Sequence, residues 1–369
     1  EGKEWIVGPD QTGEAKDGEL VEAEQSGPKG RLGLPRARIV ARLGNPAAPK
    51  AVSLIAIHQH GIPDAFTDAV MVAADAAKPA TSKNRDDLTG LPLITIDPAD
   101  ARDHDDACCA IMDNDQKNPN GFLLWVAIAD VAYYVTPQSA LDVEARHRGN
   151  STYFPDRVVP MLPDRLSGDL CSLHEGVIRP CIAVEMKLSA TGEKISHRFV
   201  RGMMRSPASL SYEEAQAAVD GNPSDRAAPL VDTVLKPLFA AYKALKTARE
   251  VRQPLELDLP ERKIILSDSG KVASINFSDR LDAHRLVEEC MVLANVAAAE
   301  TLIAKQQPLL FRVHEEPSPE KLESLRETAK SVGLVLAKGQ ILQTRHLNYL
   351  LKAAAGKDEA ELINLSTLR

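Results

Sequence analysis

The sequence predicts an α+β chain in which a small OB-type β-barrel precedes a larger mixed α/β domain. Three observations carry that prediction. Short β-like runs punctuated by Gly and Pro fill residues 1–75. From Leu91 onward the strands become longer and more apolar, and long helical patterns follow in blocks rather than in a regular strand–helix alternation. A ten-residue acidic segment, Asp97-Pro-Ala-Asp-Ala-Arg-Asp-His-Asp-Asp106, lies between two apolar runs near the start of that second part.

In chain order, Glu4–Val7, Glu19–Ala23, Ala37–Arg42 and Ala51–Ile57 read as strands of the barrel. Lys29, Arg31, Arg36, Arg38 and Arg42 would give it a positive face, or would be scattered solubilising charge. Residues 76–90 are polar and Ala-rich and read as a linker or boundary helix. The second domain then runs over 91–369. Leu91–Ile96, Ala107–Met112 and Phe122–Ala129 are buried strands. Thr136-Pro137 starts a helix that continues to about Arg148. Cys181–Leu188 and Lys194–Val200 flank Thr191-Gly192 as a hairpin, and Ser211-Tyr-Glu-Glu214 is a capping box. Helices are expected over about 226–252 and 282–305, with a hairpin at 263–267 and 272–277 between them around Ser269-Gly270. Leu309–Phe311 reads as strand-like, and Ser318-Pro319 opens a helix that ends near Gly333.

At 369 residues the chain has room for two or three domains, and 44% hydrophobic residues support a packed core. A net charge of −8 argues against nucleic-acid binding through bulk charge, though a local basic channel stays open. No apolar run is long enough to span a membrane, and no secretory leader is recognisable at the start. The five cysteines form no CxxC pair and read as reduced, buried thiols, so a cytoplasmic setting is expected. The chain starts at Glu1 inside an apparent strand and stops inside an apparent helix, so both ends read as cut.

The acidic segment falls on a turn between core strands. Crowded carboxylates beside a core raise one another's pKa unless a cation neutralises them. An acidic run is usually a solvated loop, and the apolar strands on both sides count against that alternative without removing it. An EF-hand loop counted from Asp97 would need oxygen ligands where Ala99 and Ala101 stand, Gly where Arg102 stands and Glu where Cys108 stands, so that reading fails. A helix cap needs one carboxylate, not four. Hard oxygen donors favour Mg²⁺ or Mn²⁺, and the usual work of such a site is phosphoryl transfer.

Four motifs in order give the chain a family resemblance. They are Ile94-Thr-Ile-Asp97 through Arg102-Asp-His-Asp-Asp-Ala107; Arg148-Gly-Asn-Ser-Thr-Tyr-Phe-Pro155 with Val159-Pro-Met-Leu-Pro163 and Leu170-Cys-Ser-Leu173; Asp282-Ala-His-Arg-Leu-Val-Glu-Glu-Cys-Met-Val-Leu-Ala-Asn295; and Leu310-Phe-Arg-Val-His-Glu-Glu-Pro317. The chain resembles exoribonucleases of the RNase II/RNase R type, with an RNB catalytic domain, and its second and fourth motifs lie closer to the RNase R type. The N-terminal barrel then resembles the cold-shock domain that precedes the catalytic domain in that family.

The resemblance implies processive 3′→5′ hydrolysis of single-stranded RNA to nucleoside 5′-monophosphates with Mg²⁺ (Mn²⁺ as the alternative), by a monomer. Four carboxylates can hold two cations about 4 Å apart. Asp97 and Asp106 are the implied main ligands of one ion, Asp103 helps the second, and Asp105 orients the ligand shell at the scissile phosphate. Tyr153 matches the family aromatic that stacks on a base near the 3′ end; an ordinary core tyrosine is the alternative. Leu257 stands where the family often has Phe, which implies a weaker clamp. Glu288 matches a residue that reaches the terminal nucleotide; the bland alternative is a His284–Glu288 surface pair. Arg312 and His314 are candidates for phosphate contact.

One departure stands out. In the family, an arginine-bearing Thr-Ser-Pro-Ile-Arg-Arg-Tyr motif and a further OB-type RNA-binding domain lie downstream of Arg369. An arginine at a phosphoryl-transfer site carries much of the transition-state charge. These 369 residues alone are therefore expected to be impaired. Two other classes compete: a module with an RNB-like fold that holds RNA ends or a protein partner without cutting, and a metal-dependent hydrolase of small phosphoesters. The second would need neither the barrel nor Tyr153.

Overall fold

The structure is a computed structural model that describes residues 4–27, 34–46, 48, 51–257, 259, 261–267, 269–278, 280–337 and 342–369; the side chains of Glu261 and Ser278 are not described. In chain order the elements are β1 (Ile6–Val7), β2 (Leu20–Gln25), β3 (Arg36–Gly44), α1 (Ala51–Gln59), α2 (Asp68–Asp75), β4 (Asp86–Asp87), β5 (Thr95–Asp97), β6 (Asp106–Met112), β7 (Phe122–Ala129), α3 (Val131–Tyr134), α4 (Ala140–Arg148), β8 (Thr152–Tyr153) and β9 (Val158–Val159). They continue with β10 (Ile178–Leu188), β11 (Lys194–Arg205), β12 (Ser209–Ser211), α5 (Tyr212–Val219), α6 (Lys236–Arg252), β13 (Glu261–Leu266), β14 (Val272–Ser278), α7 (Asp282–Ala304), α8 (Pro319–Ser331), α9 (Thr344–Ala354) and α10 (Ala360–Leu368).

The chain divides into two compact units. The first comprises residues 1–77, 135–165 and 262–277; the second comprises 78–134, 166–261 and 278–369. In the first unit β1, β3 and β2 form a sheet in that order, with β1 parallel and β2 antiparallel to β3. Arg38 and Arg42 of the expected positive face are ion-paired to Glu24 of β2 and to Glu19 just before it, so their charge is largely neutralised; Lys29 and Arg31 lie outside the described residues. Ala51–Ile57, expected as a strand, is the helix α1. A short apolar run suits a buried strand or a buried helix equally, and here Ser53 and Ile57, four residues apart, turn inward together. Arg148 at the end of α4 is buried. It donates to the carbonyls of Ala65 and Pro160 and to Glu144, with its guanidinium over the Phe66 ring.

The core of the second unit is a five-stranded sheet in the order β4-β11-β10-β7-β6. β7 is apolar throughout and buried on both sides, the pattern of a central strand. The β10–β11 hairpin turns at Thr191-Gly192, where Gly192 has φ +82° and a Cβ would fall 2.1 Å from the Ala244 carbonyl oxygen of α6. Helices α5, α6 and α7 cover this sheet through Ala215, Leu238, Tyr242, Leu286 and Cys290. Arg85, from the stretch expected as a linker, is buried in an ion pair with Asp130 beside the β4–β11 pairing. Helices α8, α9 and α10 share a smaller core of Leu325, Leu350, Leu351 and Ile363.

Several expected elements differ, among them the strand expected over Leu91–Ile96, which is confined to Thr95–Asp97. The helix expected from Thr136-Pro137 begins at α4, where the Ser139 hydroxyl accepts from Asp142 N–H, because Gln138 with φ +65° breaks the path from Pro137. The helix expected over 226–252 opens with a 3-10 turn at Ala228–Leu230 and a π turn at Val231–Leu235; regular α-helix starts only at Lys236-Pro237. Leu309–Phe311 forms no strand, and Leu310 is 89% exposed.

Candidate active site

Backbone constraints place Asp97, Asp105 and Asp106. β5 ends on Asp97, which pairs in register with Ser211 of β12, and Ser211 in turn opens the capping box of α5. β6 begins on Asp106, and Ile94 bridges to Cys108 just beyond it. The connecting bend is held from three sides. His104 N–H donates to the Ser172 hydroxyl at 3.0 Å, Leu173 N–H to the His104 carbonyl at 2.9 Å, and Ala129 N–H to the Asp105 carbonyl at 2.9 Å. The predicted turn between core strands is therefore present, and these hydrogen bonds hold its backbone.

The electrostatics follow from that crowding. Burial, then the neighbouring Asp97 and Asp105, push the Asp106 carboxyl up to about 7. Asp105 is raised in the same way, by desolvation first and then by Asp103 and Asp97. Asp97 has a partner that its sequence neighbourhood did not single out: its Oδ2 lies 2.7 Å from His104 Nδ1. That hydrogen bond, opposed by burial and reinforced by the charges of Asp97, Asp103 and Asp105, raises the His104 pKa. Tyr212 was also missed. It stacks on His284 at 4.0 Å between ring centroids and 18° between planes, and burial followed by the charges of Asp97 and Asp106 pushes its hydroxyl up to about 12. The sequence signals were present, since His104 sits inside the acidic motif and Tyr212 directly follows the strand that pairs with Asp97. Neither residue type declared its neighbour.

The donor set suits a hard divalent cation. It consists of carboxylates whose mutual repulsion is met by one imidazole, on a rigid bend beside a core. Among the described residues, no three His, Cys, Asp or Glu side chains stand together as a finished ligand cage. The fit is therefore one of charge and donor chemistry.

The other predicted residues fall in three places. Glu288 and Leu257 line one cavity of about 460 Å³ beside α6 and α7. Glu288 is ion-paired to Arg280 and lies 3.6 Å from Arg249. His284 Nδ1 accepts from the Leu281 N–H at the start of α7, and the ion-pair partners of Glu288 are arginines. The adjacent Glu289, not predicted, is the buried carboxylate of this cavity, held by Arg249 and Arg252. Tyr153 lies on β8 in the first unit, 68% exposed, which excludes the ordinary core tyrosine. Arg312 and His314 sit on the exposed coil that precedes α8, where His314 Nδ1 is 2.8 Å from the Glu315 carbonyl.

The RNB domain family profile matches residues 85–369, and the cold shock domain profile matches residues 2–67. Ribonuclease R of Vibrio parahaemolyticus is 42% identical over 340 residues, which cover 90% of this chain and 40% of that protein. Ribonuclease R of Escherichia coli is 38% identical over 370 residues, covering 99% of this chain and 45% of its own length. A solved structure of Mycoplasma genitalium RNase R in complex with ribose-methylated single-stranded RNA superposes with a TM-score of 0.91 at 27% identity, covering 99% of this chain and 57% of that one. The chain thus spans about two fifths of the length of these two curated relatives. Among the described residues no helix is long and apolar enough to cross a membrane.

Proposed function

The chain belongs to the RNB domain family, and from that membership we propose that it forms part of a metal-dependent exoribonuclease of the RNase R type. Such an enzyme would remove nucleoside 5′-monophosphates processively from the 3′ end of single-stranded RNA. The observation that carries the reading is the acidic bend, with its fixed backbone and an Asp106 carboxyl raised to about 7. Residues 1–75 serve as a cold-shock-like RNA-binding domain, 76–90 as the connection and 91–369 as the RNB catalytic domain.

Asp97, Asp103, Asp105 and Asp106 are the residues that hold Mg²⁺, or Mn²⁺. Bound there, the metal supplies an activated water and positive charge at the leaving oxygen. The protein groups do the positioning. His104 fixes the Asp97 carboxylate through its Nδ1, which engages one of the two carboxylate oxygens. Asp105 orients the shell at the scissile phosphate. Tyr153 offers its exposed ring to a base, and Leu257 supplies an apolar wedge, weaker than an aromatic, beside Glu288, which contacts the terminal nucleotide. Arg312 and His314 contact phosphate. The enzyme works as a monomer in the cytoplasm. A polypeptide of these 369 residues and nothing more hydrolyses RNA slowly, because no family arginine motif lies among them.

The test is Asp105→Asn in a C-terminally extended chain. RNA binding stays near the parent value while turnover falls by at least ~100-fold, the scale of losing one transition-state group. Equal turnover in the two proteins contradicts the reading.

A further inference from the structure

We propose that Arg249 is a positioning residue: it holds Leu257 and Glu288 at a fixed separation across their cavity, so that both meet one terminal nucleotide. The proposal rests on the reading of those two residues given above.

α6 ends where Gln253 takes a left-handed conformation, φ +49°. From there the chain runs as coil through Pro254, Glu256 and Leu257. Arg249 lies in the last turn of the helix. Its Nε donates to Glu256 Oε1 at 3.0 Å, and its Nη1 donates to the buried carboxylate of Glu289 on α7. The same Nη1 lies 3.6 Å from Glu288 Oε1. The two bonded carboxylates are thus the chain neighbours of the two candidate nucleotide contacts: Glu256 precedes Leu257, and Glu289 follows Glu288. A guanidinium is planar and its N–H directions are rigid, so bonds through Nε and Nη1 fix the coil and the helix relative to each other.

The neighbouring ties each hold one wall. Arg252 reaches Glu289 at 2.9 Å and Arg280 reaches Glu288, both on the α7 side. Asn348 of α9 accepts from Glu256 N–H at 2.9 Å and donates to the Pro254 carbonyl at 2.8 Å, both on the coil side. Arg249 bonds to both walls. The cavity between them, about 460 Å³, is of a size that takes a small organic ligand. Cations and carboxylates both line it, Lys246 and Lys352 together with Glu250 and Glu256, so its charge alone selects no ligand. Selection falls to the spacing of the walls, which Arg249 sets. A purely structural staple at the same place would lower stability when removed, without changing which RNA end is preferred.

The test compares two fluorescent single-stranded RNAs, one with a normal 3′-terminal nucleotide and one whose terminal residue lacks its base. Their affinities for the C-terminally extended chain are measured in EDTA. The ratio of the two dissociation constants isolates the terminal base, and a loss of folded protein leaves it unchanged. Leu257→Ala is expected to lower that ratio by about 3-fold, less than the ~5-fold that marks loss of a weak aromatic stack. Arg249→Met is expected to lower it as far as Leu257→Ala does, and the double variant no further. An Arg249→Met ratio equal to that of the parent overturns the proposal and leaves Arg249 a structural staple. If Arg249→Met does not fold by circular dichroism, Glu256→Gln decides in its place, because it removes only a half-exposed ion pair; a lowered ratio supports the proposal and an unchanged one overturns it. If Leu257→Ala itself leaves the ratio of the parent unchanged, the nucleotide reading of the cavity fails and takes the proposal with it.

Discussion

Replacing Asp106 by Asn should make the metal-free protein more stable, and only where the carboxyl would otherwise be ionised. Its pKa rises from 3.8 to about 7 in the folded chain, mainly through burial, with Asp97 and Asp105 adding to the effect. An acid whose folded pKa is raised binds its proton more tightly in the folded state. Stability therefore falls as pH climbs from about 4 to about 7, and the full penalty is present above 7. A rise of about 3 in pKa, at about 1.4 kcal/mol for each, gives ~4 kcal/mol. The side chain is only partly buried, so solvent screening cuts this to ~2 kcal/mol. Asn keeps the shape and removes the charge. In EDTA, urea unfolding followed through the core residue Trp125 should show the variant ahead by ~2 kcal/mol at pH 8 and level with the parent near pH 4. Added Mg²⁺ should recover the parent at pH 8 and help the variant much less. A difference of the same size at both pH values, or a parent that is the more stable at pH 8 in EDTA, refutes the electrostatic reasoning.

Further outcomes follow from the same geometry. Gly192→Ala places a Cβ 2.1 Å from the Ala244 carbonyl at a positive φ, and should cost at least ~3 kcal/mol in urea unfolding. Glu289→Gln leaves Arg249 and Arg252 without the buried carboxylate that holds both, and should cost ~3 kcal/mol in the same assay. Tyr153→Ala should weaken single-stranded RNA binding by ~1–3 kcal/mol by fluorescence anisotropy while Tyr153→Phe does not, and thermal stability should be unchanged because the ring is exposed.

What the sequence disclosed and what it hid divide along physical lines. β7 and the β10–β11 hairpin were legible because an unbroken apolar run and a Thr-Gly turn leave few alternatives. Ser211 declared its helix because a capping box is a local device, complete within four residues. The acidic bend was legible for the same reason, since all four carboxylates lie within ten residues of chain. Ala51–Ile57 and Leu309–Phe311 were misread because short apolar runs take the conformation that their distant neighbours impose. His104, Tyr212 and Glu289 were hidden in another way. Each acquires its role from a contact across the fold or across the bend: His104 from Asp97, Tyr212 from His284, and Glu289 from arginines 37 and 40 residues away. Periodicity marks which face of a helix is buried. It does not mark which of two adjacent glutamates, Glu288 or Glu289, is enclosed by arginine.

The central claim is that the acidic bend cuts RNA from its 3′ end with the help of a divalent metal. A denaturing gel of 5′-labelled single-stranded RNA, run with Mg²⁺ and with EDTA, tests it directly. The 369-residue chain and a C-terminally extended chain would be compared side by side. Stepwise shortening from the 3′ end by the extended chain, in Mg²⁺ only and much faster than by the 369 residues alone, is the predicted result. RNA that stays intact in every lane yet shifts on a native gel would contradict it, and would make this fold a holder of RNA rather than a nuclease.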